Sequence, residues 1–364
     1  INQWVQQVTV GGYKANGNAE PEDASNELTL MCLRSARRLP LNAPCLSLRV
    51  HKKMEPKLFE EAAKAVLSGG AHPIMLNDDK LVDAIRDCGP LSLADARDYA
   101  CDGCYEVIIP GKTEWAFSYT VVPPMIEYAL NQGCNVQNAG PVNLRGLKSS
   151  WNSPPAAEIQ SFDQFLDIFY THWRWQMNSF FNTLMNSYGS IYNYSPSPLF
   201  SAFLSDSLAT GRDLTNGGAK YHIVAPMMCG LVNAINSLFS IKQLVFNEQT
   251  ARCTLPQLLL ALQCNWGNNM TAPFYTELEG DIRKAEDAQA FKELREYALQ
   301  FPKFGIGYNE ELTALAETVT AKLVEIIHDC YQNPIPSIKT AYENLQKKYG
   351  TPDRPFAFVV TPGV

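Results

Sequence analysis

The chain has 364 residues, 46% hydrophobic and 18% charged, enough to bury a large core, with a formal net charge of −7 and a pI near 5.4. An acidic balance excludes a polyanion-binding surface, so nucleic acid is not expected as a partner. Apolar runs such as His222–Ile235 are broken by Pro226 and Asn233, well short of the roughly 20 residues that cross a bilayer, so no membrane partner is expected either.

In chain order, Val5–Gly11 reads as a strand, as do Cys45–Val50 and Pro73–Leu76, by their β-branched and apolar content. Between the second and third, Pro56–Ser68 has helical periodicity and stops at Gly69-Gly70. This strand–helix–strand alternation predicts an α/β barrel architecture. Asn77-Asp78-Asp79 reads as a turn or helix cap. Lys112–Trp115 closes a loop, after which Trp115, Phe117 and Tyr119 alternate with Ala116 and Ser118, giving one strand an aromatic face. Pro124–Gln132 reads as a helix ended by Gly133.

The clearest helix opens at Ser161-Phe162-Asp163-Gln164, a capping-box pattern. Its apolar stripe is Phe162, Phe165, Leu166, Phe169, Trp173, Met177, Phe180 and Leu184, and it is expected to be core. Gly217-Gly218 lacks the spacing of a phosphate loop and reads as a tight turn with positive φ. A second capping box, Thr254–Gln257, has Pro256 in the first turn. Two charged helices, near Ile282–Leu299 and Glu311–Tyr331, are expected to cover the outside.

The segment Cys101-Asp102-Gly103-Cys104-Tyr105-Glu106 sets a thiol two residues from a carboxylate. In extended backbone, residues i and i+2 project to one side. Cys104 and Glu106 are therefore expected to address one small molecule together, sulfur as the attacking atom and carboxylate as acid or base. Cys101-x-x-Cys104 also has zinc or redox spacing. No second Cys-x-x-Cys or closely spaced His pair exists, and the five histidines, at 51, 72, 172, 222 and 328, are far apart. Metal is therefore not expected, and Cys101 reads as packing at the loop base. Ten cysteines scattered along the chain read as free thiols in a reducing compartment, and the first residues show no secretory pattern, which points to the cytoplasm.

On either side of the loop, Asn26-Glu27-Leu28-Thr29, Cys45–His51, Pro73–Asp78, Pro198–Ser201, Gly211–Tyr221, Asn236–Lys242 and Pro302–Gly305 complete a pattern, covering essentially the whole chain, that resembles the glycyl radical enzymes of the pyruvate formate-lyase-like superfamily. The resemblance implies part of a ten-stranded α/β barrel surrounded by helices, with a central catalytic cysteine loop. Residues 1–100 would lead to the loop, 101–120 form it, and 121–364 supply helices and second half-barrel strands as one barrel portion.

It further implies that Cys104 becomes a thiyl radical that abstracts a substrate hydrogen atom while Glu106 moves a proton. The radical glycine is generated by a separate activating enzyme carrying an iron–sulfur cluster and S-adenosylmethionine. No Arg-Val-x-Gly-aromatic segment occurs in these residues. The N-terminal half-barrel and the glycyl loop are therefore expected elsewhere, on a companion chain or on the remainder of an incomplete one, with complete units pairing as homodimers. No cofactor is expected to be bound directly.

The reading is a lyase, a dehydratase or related enzyme cleaving a C–O, C–N, C–S or C–C bond of a small molecule. Trp115, Phe117 and Tyr119 would give the pocket an apolar wall. The alternatives are an arylacetate-type decarboxylase and a non-catalytic structural subunit.

Overall fold

The computed structural model describes residues 6–102, 106–136, 146–270 and 286–363, and at 115–117 the backbone only. The chain runs through β1 (Gln7–Gly11), α1 (Glu27–Arg38), β2 (Cys45–Val50), α2 (Pro56–Leu67), β3 (Ile74–Asn77), α3 (Asp78–Asp87), α4 (Leu93–Arg97), β4 (Ala100–Asp102), β5 (Glu106–Ile108) and β6 (Thr113–Tyr119). It continues through α5 (Pro123–Leu130), α6 (Phe162–Ser187), α7 (Pro198–Ser201), α8 (Ser205–Thr210), β7 (Tyr221–Met227), α9 (Leu231–Ile241), α10 (Leu255–Gln263), α11 (Asp287–Leu299), α12 (Glu310–Gln332), α13 (Pro336–Tyr349) and β8 (Phe358–Val360). These divide into two compact units, one of residues 1–118, 187–226 and 343–363, the other of 119–186 and 227–342.

The first unit holds a parallel sheet in the order β1-β2-β3, with Val8 opposite Leu46, Val10 opposite Leu48, and Leu48 opposite Met75. Leu46 to Arg49 of the central strand are all buried, as expected of a parallel strand covered on both faces. One face lies under α1 and α2 and packs Leu33, Leu46, Leu48, Met54, Leu58 and Ala62 together.

Helix α1 starts where the Asn26 side chain accepts from the Leu28 and Thr29 N–H groups, and Thr29 Oγ1 accepts from Asn26 N–H in return. Arg34 and Arg37 of α1 reach Glu61 of α2 at 3.8 and 3.4 Å. On the opposite face of the sheet, Thr9 Oγ1 accepts from Cys101 N–H at 3.3 Å, which brings the antiparallel hairpin β4–β5 there. A third sheet runs β6-β7-β8, with β7 and β8 parallel.

Near that sheet, Tyr349 is clasped by two glycines. Gly189 (φ +78°) and Gly217 (φ +74°) both sit in the left-handed region, and a Cβ on either would collide with the Tyr349 ring or hydroxyl. The Tyr349 hydroxyl donates to Asn216 Oδ1 at 2.7 Å, and its ring stands edge-on to Tyr188, 5.4 Å between centroids. The turn reading of Gly217 is thus borne out.

The second unit is helical. Helix α6 is capped as expected by Ser161, whose Oγ accepts from Gln164 N–H; the Gln164 amide accepts from Gln160 N–H, one residue earlier than in a standard box. The predicted stripe needs correction beyond Met177, where Phe181 and Met185 are buried instead of Phe180 and Leu184, and Ile168 and His172 join the buried face. The buried seam keeps to steps of four residues from Phe165 to Met185. Each step overshoots one turn by about 40°, so the seam winds around the helix, the behaviour of helices that cross at an angle. Trp173 Nε1 donates to Leu323 O of α12 at 3.2 Å, joining the two longest helices of the unit. Thr254 and Gln257 form the capping box predicted for α10.

Candidate functional site

Hairpin β4–β5 pairs Ala100 with Ile108, Cys101 with Val107, and Asp102 with Glu106. The connecting Gly103-Cys104-Tyr105 lies outside the described residues, as do the side chains of Trp115 and Phe117. Glu106 is 5% exposed, and Tyr119, at the end of β6, is 65% exposed. Cys101 is buried in a core with Tyr99, Ile109, Tyr221, Ile223 and Val359. Burial pushes its thiol up to about 12; Arg49 opposes this, and Glu106 and Asp102 add to it. A thiol so disfavoured as thiolate is inert, which fits the packing role read from the sequence.

Two polar networks anchor the chain on either side of this hairpin. In the first, Arg49 of β2 forks onto Asp78 at the start of α3, Nε to Oδ1 at 3.0 Å and Nη2 to Oδ2 at 2.8 Å. Its remaining donors reach Tyr99 O and Arg97 O at 3.0 and 2.8 Å. Asp78 also accepts from the Tyr99 hydroxyl at 2.8 Å and from Tyr13 N–H at 2.9 Å. The guanidinium lies 4.0 Å from the Tyr99 ring centroid. Burial, then the Asp78 charge, raise the Tyr99 hydroxyl far above its ordinary range, so it stays a donor. The backbone entering β4 is thereby fixed by a bidentate, charge-assisted pair.

In the second network Asp95 of α4 accepts from Lys112 Nζ at 2.5 Å, from Lys220 Nζ at 2.7 Å and from the Tyr221 hydroxyl. Burial acts to raise the Asp95 carboxyl, but these bonds together outweigh it and hold it well below the usual carboxylate range. Lys112 follows β5 and Lys220 precedes β7, so one carboxylate ties the exit of the hairpin to the next sheet. A third cluster lies in that sheet. The Tyr188 hydroxyl donates to Glu114 Oε2 at 2.5 Å and is 2.9 Å from His222 Nδ1, itself 2.7 Å from Glu114.

By sequence, Asn77-Asp78-Asp79 reads as a turn or helix cap. Asn77 does cap α3, accepting from Asp79 N–H at 3.1 Å, but the anchoring roles of Asp78, Arg49 and Asp95 were not foreseen. A signal existed for the first two: Arg49 is near the carboxyl end of β2 and Asp78 directly follows β3, the strand ends where open α/β folds gather their functional groups.

Residues 1–340 match the family described as pyruvate formate lyase-like. Among curated proteins, the chain is 31% identical over 267 residues to the (2S)-3-sulfopropanediol dehydratase of Klebsiella oxytoca, covering 72% of this chain and 30% of the relative. It is 26% identical to an isethionate sulfite-lyase of Nitratidesulfovibrio vulgaris, covering 71% of this chain and 30% of the relative. A structure solved for 1,2-propanediol dehydration in Roseburia inulinivorans superposes with a TM-score of 0.69 at 25% identity, over 88% of this chain and 37% of that one. The chain thus spans about 30% of the length of these curated relatives.

Proposed function

Because the chain belongs to the pyruvate formate lyase-like family of glycyl radical enzymes, we propose that it forms part of a radical lyase acting through Cys104 and Glu106. The Cys104 sulfur radical takes a hydrogen atom from a C–H bond of a small organic substrate, giving a thiol and a carbon radical. Glu106 accepts the proton of a neighbouring hydroxyl as the adjacent carbon releases its leaving group with the bonding pair. The product radical then takes the hydrogen atom back from the Cys104 thiol.

A glycine-centred radical, carried on a segment outside these residues and installed by an S-adenosylmethionine-dependent activating enzyme, supplies the one-electron oxidation of that thiol. The residues present fit such a group. Cys101, three positions away, is walled into the core at 4% exposure, so its sulfur offers no competing site.

The observation that carries this reading is Glu106, a carboxylate 5% exposed two residues beyond Cys104 and set at the paired end of the hairpin. A buried carboxylate beside a reacting atom suits proton transfer in a water-poor pocket. The similarity to a dehydratase and to a sulfite-lyase favours cleavage of a bond next to a hydroxyl-bearing carbon, the leaving group being water or sulfite. The activating enzyme and pairing of complete units into dimers belong to the same proposal.

In the activated complete enzyme, Cys104→Ala should abolish turnover and leave no substrate deuterium exchange; retained activity ends the proposal. Glu106→Gln should preserve hydrogen-atom exchange while lowering turnover by about 10²–10⁴-fold, the usual weight of a positioned acid or base. Equal losses of exchange and turnover would remove Glu106 from the proton step.

A further inference from the structure

The core that holds Cys101 also holds two tyrosines, Tyr99 and Tyr221, 2% and 5% exposed. Three residues of chain span at most about 11 Å, so a sulfur radical at position 104 forms close to this core. A phenol is among the side chains such a radical oxidises most readily. The electron passes from the ring to sulfur, leaving a thiolate, and the hydroxyl proton moves to the base it is bonded to. The resulting tyrosyl radical ends turnover.

Both movements are opposed at both rings. The Arg49 guanidinium lies 4.0 Å from the Tyr99 ring centroid and Lys220 Nζ lies 4.9 Å from that of Tyr221. A cation in that place repels the positive charge left when the electron goes. The proton acceptors are held as well. The Tyr99 hydroxyl donates to Asp78 Oδ1, which Arg49 also holds, and the Tyr221 hydroxyl donates to Asp95, which Lys112 and Lys220 hold. Either carboxylate, on taking the proton, would lose its charge beside cations that remain. Tyr188 has the contrary arrangement. It donates to Glu114, which His222 reaches but with which no Lys or Arg pairs among the described residues. His222 and Tyr221 are adjacent in β7 and project to opposite faces, so this less protected phenol lies on the side away from Cys101. We propose that Arg49 and Lys220 guard Tyr99 and Tyr221 from one-electron oxidation and so keep the unpaired electron on Cys104 and the substrate. The proposal rests on the radical reading above.

The first test holds the activated complete enzyme anaerobically without substrate and freezes it for electron paramagnetic resonance. The parent should show no tyrosyl signal. Lys220→Gln should show one that narrows with ring-deuterated tyrosine and vanishes when Tyr221→Phe or Cys104→Ala is added, while Lys220→Arg, which keeps the charge, should match the parent. A purely structural role for Lys220 yields no tyrosine-centred signal. Absence of the signal in Lys220→Gln, or an equal signal in the parent or in Lys220→Arg, overturns the proposal. The second test needs no activation. A ruthenium photo-oxidant, with oxidised tyrosines mapped by mass spectrometry, should mark Tyr188 in the parent well above Tyr99 and Tyr221, and Lys220→Gln should raise the marking of Tyr221 about tenfold. Equal marking of the three tyrosines in the parent overturns the proposal whether or not the variant folds. Turnover surviving in Cys104→Ala removes the lyase reading, and the photo-oxidation pattern then decides the guarding by itself.

Discussion

Asp78 accepts four hydrogen bonds at a position where its side chain has no solvent exposure, and two of them come from one guanidinium. Removing it strands Arg49 as a buried charge, a loss of about 3–5 kcal/mol for breaking one side of such a pair. Asp78→Ala should therefore show a much lower urea midpoint than the parent protein. Asp78→Leu combined with Arg49→Met should recover only the part of the loss due to the stranded charge, since the Tyr99 hydroxyl, the Tyr13 N–H and the Tyr99 and Arg97 carbonyls still lose their partners.

His172 makes a second residue-scale case. It is buried on α6, with Nδ1 2.7 Å from Ser150 Oγ, and burial first, then Lys148, lower its pKa to about 4. The fold favours the neutral ring. Stability is therefore full above the unfolded value near 6.5, falls as pH drops from 6.5 to 4, and is level below. The loss is about 3 kcal/mol, from 1.36 kcal/mol per unit. Urea midpoints taken between pH 7 and 4 should show that slope, and His172→Gln should flatten it. Neither role was read beforehand: a carboxylate at a helix start reads locally as a turn or cap, and His172 was left off the apolar stripe, because the partners that reach them lie 29 and 22 residues away.

At the level of elements, local chemistry served well where the signal was short-range. The caps at Ser161 and Thr254, the glycine stop after α2 and the succession of β1, β2, α2 and β3 depend on neighbours within a few residues, whereas α1, between β1 and β2, was not anticipated. The far half of α6 was misjudged because the buried seam there follows the crossing with α12, a tertiary fact absent from local spacing. The contrast is measurable. Phe181→Ala, at 0% exposure, should cost about 3–5 kcal/mol in unfolding free energy, the range for a buried phenylalanine, and Phe180→Ala clearly less. The candidate hairpin itself was legible only as a motif; the carboxylates that anchor its two ends, Asp78 of α3 and Asp95 of α4, were not legible as its anchors.

For the molecule as a whole, family membership came from the Gly-Cys-Tyr-Glu run and its companion segments, while composition alone pointed to nothing more than a large folded chain. The division into two units, each gathered from segments far apart in sequence, has no linker to announce it. A polypeptide of these 364 residues contains no Arg-Val-x-Gly-aromatic segment. Treated anaerobically with an activating enzyme and S-adenosylmethionine, it should give no glycyl doublet by electron paramagnetic resonance. A doublet from the short polypeptide would relocate the radical.

The clasp of Tyr349 between Gly189 and Gly217 constrains the order in which descendants of this sequence can drift. Neither glycine can acquire a side chain while the ring is present, yet losing the ring first forfeits its bond to Asn216 and its contact with Tyr188. The three positions therefore form an inherited set, retained jointly or abandoned jointly, and lineages that have crossed over should have passed through a smaller residue at 349.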